Sequence, residues 1–431
     1  MLVCRRGACV TFAVVLTVSP GVTPWKVTPF SGTVDAAEVT KQAHATTRPR
    51  SSSAYRVLYR FDGLDGYPNT PLLRLSVDLY GTTSSAVFRI STRGVEKTLY
   101  RFAASSEPFM PAGGLIEVDG TLYGTASYGG TASTRDAHGT GKGGVFTLTE
   151  QGKESVLYAF KGAPDGATPN GGLVDVNGTL YGTTAFGGSK CRHKLSGGFS
   201  GCGTVYSISR SGAERVFYSF GGGDDGANPI GSLIDVGGTL YGTTWVGGGS
   251  NCAMGPGNGC GTVYSISTNG KEKVLHRFAS CCSADAAAPN GGLINVNGTL
   301  YGTTVWGGIG DPGLGAVYSI TTRGEERVQY EFRGGSDGND PSGLIEVNGT
   351  LYGTTEGGGD SNCGTLYSMT TLTGAKQTLH SFACGSDGAR PGFLTDVHGT
   401  LYGTTNGPEN NEPHPGDESL NSQGTVYALT P

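Results

Sequence analysis

One short segment, Gly-Thr-Leu-Tyr-Gly-Thr-Thr, recurs along the chain with small changes and limits the fold more than any other feature. Successive tyrosines of the segment are 43, 58, 60, 60, 51 and 50 residues apart. The tyrosines, including a degenerate first copy, are Tyr80, Tyr123, Tyr181, Tyr241, Tyr301, Tyr352 and Tyr402. A period of this size is typical of repeat architectures in which every repeat is one supersecondary unit. We therefore expect seven similar units.

Each unit contains four short runs with the alternation and the β-branched and aromatic residues of strands; one set is 262–267, 274–278, 292–296 and 299–304. Asn-Gly or Asp-Gly dipeptides, such as Asn177-Gly178 and Asp119-Gly120, join two of the runs and favour two-residue hairpins. The sequence thus predicts an all-β, seven-bladed β-propeller of four-stranded antiparallel blades.

The order of the runs also predicts how the ring closes. The first run, 56–61, has the pattern of an outermost strand, whereas the last run, 425–429, has the pattern of a third strand. The final blade lacks its outermost strand, so we expect the N-terminal strand to supply it and to leave no open edge.

Charge and the N-terminal pattern indicate which partners and which cellular compartment to expect. The net charge is −5 with no basic stripe, which argues against a nucleic-acid partner. Arg5 and Arg6 precede an apolar run over 8–18, so we expect an export segment over 1–37, a flexible leader over 38–54 and one propeller domain over 55–431. The alternative is a tail around a short apolar patch. The run is short for a membrane span, and we expect a monomer without a stable span.

Eight cysteines follow the N-terminal pair, an even number that fits an oxidising compartment. Cys363 and Cys384 are expected at neighbouring hairpin ends and should pair. Cys191 with Cys202, and Cys252 with Cys260, flank equivalent glycine-rich insertions. Cys260 and the pair Cys281–Cys282 occupy equivalent places in successive repeats. The connectivity among Cys252, Cys260, Cys281 and Cys282 therefore stays open.

The repeats resemble the GloVer tandem repeat, a family of secreted bacterial proteins. The match includes residues 172–184, which read Gly-Leu-Val-Asp-Val-Asn-Gly-Thr-Leu-Tyr-Gly-Thr-Thr, and extends over about 55–430. The first copy departs from it, because residues 73–79 lack the Asn-Gly turn. The resemblance implies an exported or surface protein and no settled activity.

Length variation points to the face that carries function. In an antiparallel meander, the connections between the second and third strands lie on one face, and here they are long and dissimilar; they span 126–143, 185–203, 245–261, 305–315, 356–364 and 406–424. Aromatic residues stand near their starts: Tyr128, Phe186, Trp245 and Trp306. Such rings either bind a ligand on an exposed rim or fill the wedges between blades.

Polar residues offer weaker candidates for a site. His193 and Asp360 are possible ligand contacts. The simpler interpretation of His193, and of His138 and His414, is a solvated residue in a long loop. The repeated acids Asp165, Asp225, Asp337 and Asp387 fit turns that bond their own backbone. No catalytic residue, metal site or cofactor is predicted.

Three hypotheses of function follow. The first is a secreted, periplasmic or cell-surface binding module that presents its variable loops to a glycan or an extracellular protein. The second is an extracellular polysaccharide lyase or glycoside hydrolase. The third is a structural surface protein without a dedicated ligand. The absence of a convergent acid–base set favours a protein that is not an enzyme.

Overall fold

Seven antiparallel sheets of four strand positions form a ring around a central axis in the computed structural model, as the repeats predict. The structure describes residues 54–62, 66–68, 70–102, 109–130, 141–191, 200–249, 259–278, 286–307, 313–407 and 424–431. The predicted export segment and leader lie outside these residues.

Strand positions are lettered A to D from the axis outward. In blades 2, 3 and 5, two short strands share position A, because both pair with strand B. Blade 1 holds β2 (Leu73–Leu75), β3 (Asp78–Thr82), β4 (Ala86–Ser91) and β5 (Glu96–Arg101). Blade 2 holds β6 (Phe109–Pro111), β7 (Ile116–Val118), β8 (Thr121–Tyr128), β9 (Gly144–Thr149) and β10 (Glu154–Ala159). Blade 3 holds β11 (Gly166–Pro169), β12 (Val174–Val176), β13 (Thr179–Gly187), β14 (Thr204–Ile208) and β15 (Glu214–Ser219).

The other four blades repeat this pattern. Blade 4 holds β16 (Ala227–Val236), β17 (Thr239–Val246), β18 (Thr262–Ser267) and β19 (Glu272–Arg277). Blade 5 holds β20 (Ala286–Pro289), β21 (Ile294–Val296), β22 (Thr299–Gly307), β23 (Ala316–Thr321) and β24 (Glu326–Glu331). Blade 6 holds β25 (Asn339–Val347), β26 (Thr350–Gly357), β27 (Thr365–Thr370) and β28 (Lys376–Ser381). Blade 7 holds β29 (Pro391–Val397), β30 (Thr400–Thr405), β31 (Thr425–Thr430) and β1 (Ala54–Arg60).

Tight turns join strands A and B, as the dipeptides predict. Asn177 and Gly178 both have left-handed φ angles, 53° and 84°, the conformation that a two-residue hairpin of the type I′ class requires. Blade 1 lacks the Asn-Gly dipeptide, yet Ser76 adopts the same conformation with φ of 57°. The first blade therefore keeps the A–B hairpin despite its divergent sequence.

The N-terminal strand completes blade 7. Strand β1 pairs antiparallel with β31 from Ala54 opposite Thr430 to Arg60 opposite Thr425. Just beyond the pair, the backbone N–H of Phe61 donates to the carbonyl oxygen of Gly424 at 3.0 Å. The closure predicted from the order of the strands is confirmed.

The core lies between consecutive blades rather than inside any one blade. Buried tyrosines of strand C fill these layers, and Phe160 of blade 2 meets Tyr206 of blade 3 edge-to-face at 4.9 Å. A Cβ at Gly182 would collide with the Tyr206 ring, which explains the glycine in the repeated Leu-Tyr-Gly segment. Each blade therefore needs its neighbour to bury its apolar face.

Strand-B hydroxyl groups tie the blades together near the axis. Threonine side chains donate to carbonyl oxygens in strand A of the following blade. The pairs are Thr125 with Gly171, Thr183 with Gly231, Thr243 with Gly291, and Thr354 with Gly392, at 2.7 to 3.2 Å. These bonds satisfy buried polar groups and fix the angle between blades.

A second connection lies at the outer rim, where a strand-D side chain meets the loop to the next blade. The Tyr158 hydroxyl donates to Asp165 at 3.0 Å, and the backbone N–H groups of Lys161 and Gly166 donate to the same carboxylate. The predicted role of this acid in its own turn is confirmed. Glu214 of blade 3 faces the cluster, and burial together with the charge of Asp165 raises the pKa of Glu214 to about 7.

The next contact between blades has the same arrangement. The Tyr218 hydroxyl lies 2.7 Å from Asp225 and 3.4 Å from Glu272. Burial and the charge of Asp225 raise the pKa of Glu272 to about 7. Two carboxyl groups thus share one tyrosine hydroxyl, and the protonated form of the glutamate is favoured.

Blades 6 and 7 replace this glutamate with other residues. Lys376 stands in its place in blade 6 and forms an ion pair with Asp337 at 2.8 Å, with only 2% of the lysine side chain exposed. Tyr55 stands there in blade 7, stacked on His380 at 3.8 Å, and donates to the carbonyl oxygen of Asp387 at 2.8 Å. Three different side chains therefore connect one blade to the next at the same place.

Deleting residues 1–62 is expected to destabilise the whole ring, because β31 loses its neighbour and exposes an unpaired edge. We predict aggregation or a large fall in melting temperature, measured by circular dichroism and size-exclusion chromatography. Deletion of residues 1–53, which keeps β1, is the matched control. Equal melting curves for the two truncations would contradict the role of β1.

Replacing Glu214 and Glu272 together by Gln is expected to raise the melting temperature at pH 8 and to change it little at pH 5. The folded pKa lies above the unfolded value, so the contribution of these groups is fully present below about pH 4.5 and is lost as the pH rises through about 7. Gln mimics the protonated form. The exposed Glu150→Gln serves as control, and an equal gain at both pH values would refute the assignment.

Candidate functional site: the mouth of the central channel

The two faces of the ring differ in regularity. The A–B and C–D hairpins form one face, which we call the turn face. The B–C and D–A connections form the other, the loop face, and three of its D–A connections contain a single 3-10 turn: Gly223–Asp225, Gly335–Asp337 and Gly385–Asp387. The sequences of the B–C connections differ from blade to blade, so variable residues belong to the loop face.

A cavity of about 190 Å³ lies on the axis and is lined by residues in or beside strand A of all seven blades. Its wall is rich in glycine because the backbones come very close there. A Cβ on Gly171 would clash with the carbonyl oxygen of Gly231, and one on Gly343 would clash with the Phe393 ring. The channel is consequently narrow, and a sizeable ligand meets the protein at its entrance.

Six residues at that entrance share one unusual backbone conformation. Each precedes a proline of strand A, and each has a φ between 53° and 58°. They are Met110, Thr168, Asn228, Ala288, Asp340 and Arg390, and we call them the mouth ring. A left-handed φ is uncommon outside glycine, asparagine and aspartate, and it is a marked outlier for β-branched Thr168.

A hydrogen bond to the preceding blade holds this conformation. The backbone N–H of Asn228 donates to the carbonyl oxygen of Cys202 at 2.9 Å, and that of Arg390 donates to the carbonyl oxygen of Cys363 at 2.9 Å. Thr168, Ala288 and Asp340 make the equivalent bond to Lys142, Cys260 and Leu314. The conformation therefore belongs to the contact between blades, whereas the side chains differ at every position.

The end of strand B in one blade faces the mouth ring of the next. Glu356 forms an ion pair with Arg390 at 3.4 Å. The Asn228 side-chain amide donates to the carbonyl oxygen of Ala185 at 3.1 Å. Trp245 occupies the strand position of Glu356 and Ala185, so the repeat places it beside Ala288. Alanine offers little cover for an indole ring, and 42% of Trp245 is exposed.

Asp340 is the acid of the mouth ring. The amide of Asn339 donates to its carboxylate at 2.7 Å. Burial raises the pKa of Asp340, against the lowering effects of this bond and of the Arg390 charge. Trp245, Asp340 and the Glu356–Arg390 pair therefore stand at three consecutive contacts between blades, on one arc of the mouth.

The aromatic residues singled out from the sequence do not form one set. Tyr128, Phe186 and Trp306 share a strand position and are half-buried. Tyr128 packs against Phe109 with ring centroids 6.1 Å apart, and Trp306 packs against the core between blades 4 and 5. Trp245 stands one residue earlier in its strand, so its side chain points to the other side and lies at the mouth.

Of the two polar candidates, Asp360 is exposed in the B–C connection of blade 6, where its backbone N–H donates to the Ser381 hydroxyl at 2.7 Å. His193 lies outside the described residues, as do His138 and His414. Sequence reasoning overlooked Asp340, Glu356 and Arg390. The available signal was the variable residue before each strand-A proline.

Disulfides fasten two of the connections. Cys191 pairs with Cys202 and Cys363 with Cys384, each with 5.5 Å between Cα atoms, a normal spacing for a disulfide. Cys260 is also disulfide-bonded. Its candidate partners Cys252, Cys281 and Cys282 lie outside the described residues, so this connectivity stays a prediction.

Across the described ranges, we find no group of three His, Cys, Asp or Glu side chains placed to hold a metal ion. None of the helices in this part of the chain has the length and apolar character needed to cross a bilayer.

Comparison with known proteins gives a family and a fold. The family model described as the Gloeobacter/Verrucomicrobia repeat matches residues 133–255 and 252–431, more than half of the chain, which confirms the resemblance found in the sequence. No curated protein matches.

Solved structures with similar folds include two lyases. Virginiamycin B lyase from Staphylococcus aureus, crystallised with quinupristin, is 14% identical, with a TM-score of 0.56 over 88% of this chain and 99% of that chain. A streptogramin B lyase is 14% identical, with a TM-score of 0.54 over 88% and 97%. At this identity the likeness shows the fold alone.

Trp245→Ala and Trp306→Ala are expected to differ in stability. Trp245 is exposed, so its loss should change the free energy of unfolding by no more than about 1 kcal/mol. Trp306 packs against the core, so its loss should cost on the order of 3 kcal/mol through the cavity that it leaves. Urea unfolding of the two single variants tests this, and equal losses would contradict the two placements.

Proposed function

We propose that this chain, which belongs to the Gloeobacter/Verrucomicrobia repeat family, is an exported β-propeller that binds a glycan or an extracellular protein at the mouth of its channel. The observation that carries the proposal is the mouth ring. Its backbone conformation is repeated at six contacts between blades, whereas its side chains are all different. The repeated backbone serves the contact between blades, so the side chains are left to serve a ligand.

The energetics of the ring support this reading. Residues other than glycine in the left-handed region cost on the order of 1 kcal/mol each, and such conformations are enriched at functional sites. Glycine would remove the strain at Thr168 and Arg390 and would keep the backbone N–H that bonds the preceding blade. The side chains therefore have a use that offsets their cost.

The chemistry of the arc favours a glycan among these partners. An exposed indole provides a flat platform for a sugar ring, and side chains such as those of Asp340, Glu356 and Arg390 can exchange hydrogen bonds with hydroxyl groups. An oxidising compartment fits the disulfides Cys191–Cys202 and Cys363–Cys384. Export itself rests on the N-terminal sequence pattern and the family.

A glycan array with the full chain tests the proposal, followed by calorimetry on each hit. We expect Trp245→Ala to weaken binding at least tenfold with an unchanged melting temperature. Leu372→Ala removes a 95% exposed apolar side chain from the turn face and serves as the matched control.

Three other outcomes would change the proposal. Binding that survives Trp245→Ala would place the ligand elsewhere. Shortened or unsaturated products after incubation would favour the polysaccharide lyase or hydrolase. Failure of both the array and an extracellular protein library would favour a structural surface protein.

A further inference from the structure

We infer that the mouth takes a ligand with a positively charged amine, specifically a sugar chain whose amino groups are free. This rests on the proposed function and names the ligand class of the same site. Three groups of observations support it: the balance of charge at the mouth, buried oxygen atoms that need donors, and the place of Trp245.

Carboxylates outnumber available cations on the arc. Asp340 and Glu356 both stand there, and Arg390 is the cation that the described residues place beside them. The Arg390 guanidinium is already engaged by Glu356 at 3.4 Å. Within the part of the chain that the structure describes, Asp340 has an amide donor, Asn339, but no ion-pair partner. A ligand ammonium group would supply the missing charge.

Oxygen atoms around the mouth also lack donors. Thr168 Oγ1 and Asn228 Oδ1 of the mouth ring are buried without a hydrogen-bond partner among the described residues. The same holds for Asn406 Oδ1, which follows strand B of blade 7 at the position equivalent to Trp245. Buried acceptors of this kind mark places where a water molecule or a ligand donor belongs. The two amide oxygens need a donor, which an amine or a hydroxyl group supplies and a carboxylate or sulfate does not, whereas the Thr168 hydroxyl can bond either kind of group.

Trp245 adds attraction for the same class of ligand. A cation over an indole face gains about 0.5–2 kcal/mol, more than over other aromatic side chains. The repeat places Trp245 at the contact between blades 4 and 5, and Asp340 at the next contact, between blades 5 and 6. A sugar that stacks on the indole would therefore direct the amine groups of its neighbouring sugars toward the Asp340 carboxylate. An acidic sugar would instead meet two carboxylates and is disfavoured.

The test compares two trisaccharides with the same sugar backbone, β-1,4-linked glucosamine with free amines and β-1,4-linked N-acetylglucosamine with neutral acetamides. Calorimetry at pH 6, where the amines are protonated, should show at least tenfold tighter binding of the amine form. Raising the salt concentration should narrow that difference, because the charges at the entrance are partly exposed.

Asp340→Asn is the decisive variant, since asparagine accepts a left-handed φ and keeps the shape of the side chain. It should remove most of the preference for the amine form, because it weakens the binding of that form far more than the binding of the acetylated form. Asp235→Asn, an exposed acid beside the A–B hairpin of blade 4 on the turn face, is the matched control. Trp245→Ala should weaken the binding of both trisaccharides.

The outcomes separate the two claims. Equal or tighter binding of the acetylated form, or a preference that survives Asp340→Asn, overturns the charge inference and leaves a glycan-binding mouth intact. If neither trisaccharide binds but the array finds another ligand that depends on Trp245, the inference is wrong and the proposed function stands. If no screened ligand depends on Trp245, both are wrong.

Discussion

The pairing of β1 with β31 is the interaction on which the ring depends. Every blade buries its apolar face against the next, so an open ring would expose two such faces and an unpaired strand edge. The strand that prevents this comes from the other end of the described chain, more than 360 residues from its partner. Closure therefore converts seven weakly self-sufficient sheets into one cooperative body.

The contacts between blades use interchangeable chemistry at a fixed place. Glu214 and Glu272 meet an aspartate of the preceding blade, where their protonated forms are favoured. Lys376 meets the equivalent aspartate as an ion pair. Although burial opposes it, the hydrogen bond from Lys376 holds the pKa of Asp337 below its usual value. The geometry of this contact is thus the same in successive blades, whereas the effect of pH on the charges that form it differs.

Local and repeated features of the fold could be predicted from the sequence, and the mouth could not. The Asn177-Gly178 hairpin, the turn role of Asp165 and the pairing of Cys363 with Cys384 all depend on neighbours within one or two strands. Closure of the ring could also be predicted, because it follows from the number and order of the strands and does not require knowledge of any side-chain contact. By contrast, the partners Glu356 and Arg390 belong to different blades, and the repeat gives no hint of which unrepeated residues meet. The difference between Trp245 and Trp306 has another cause: Trp245 stands one residue earlier in its strand, and a one-residue offset reverses the direction of the side chain.

One further consequence concerns the register in which Ala54 lies opposite Thr430. Both ends of the ring stand side by side in a single hairpin-like pair of blade 7, in the place where the other blades have a covalent C–D turn. The break in the chain is therefore equivalent to any of the six intact turns, and no blade is first in three dimensions. The arc of the mouth depends only on which blades are neighbours in the ring, and not on the order in which the gene encodes them. A circularly permuted gene that joins Ala54 to Thr430 would therefore encode the same binding surface.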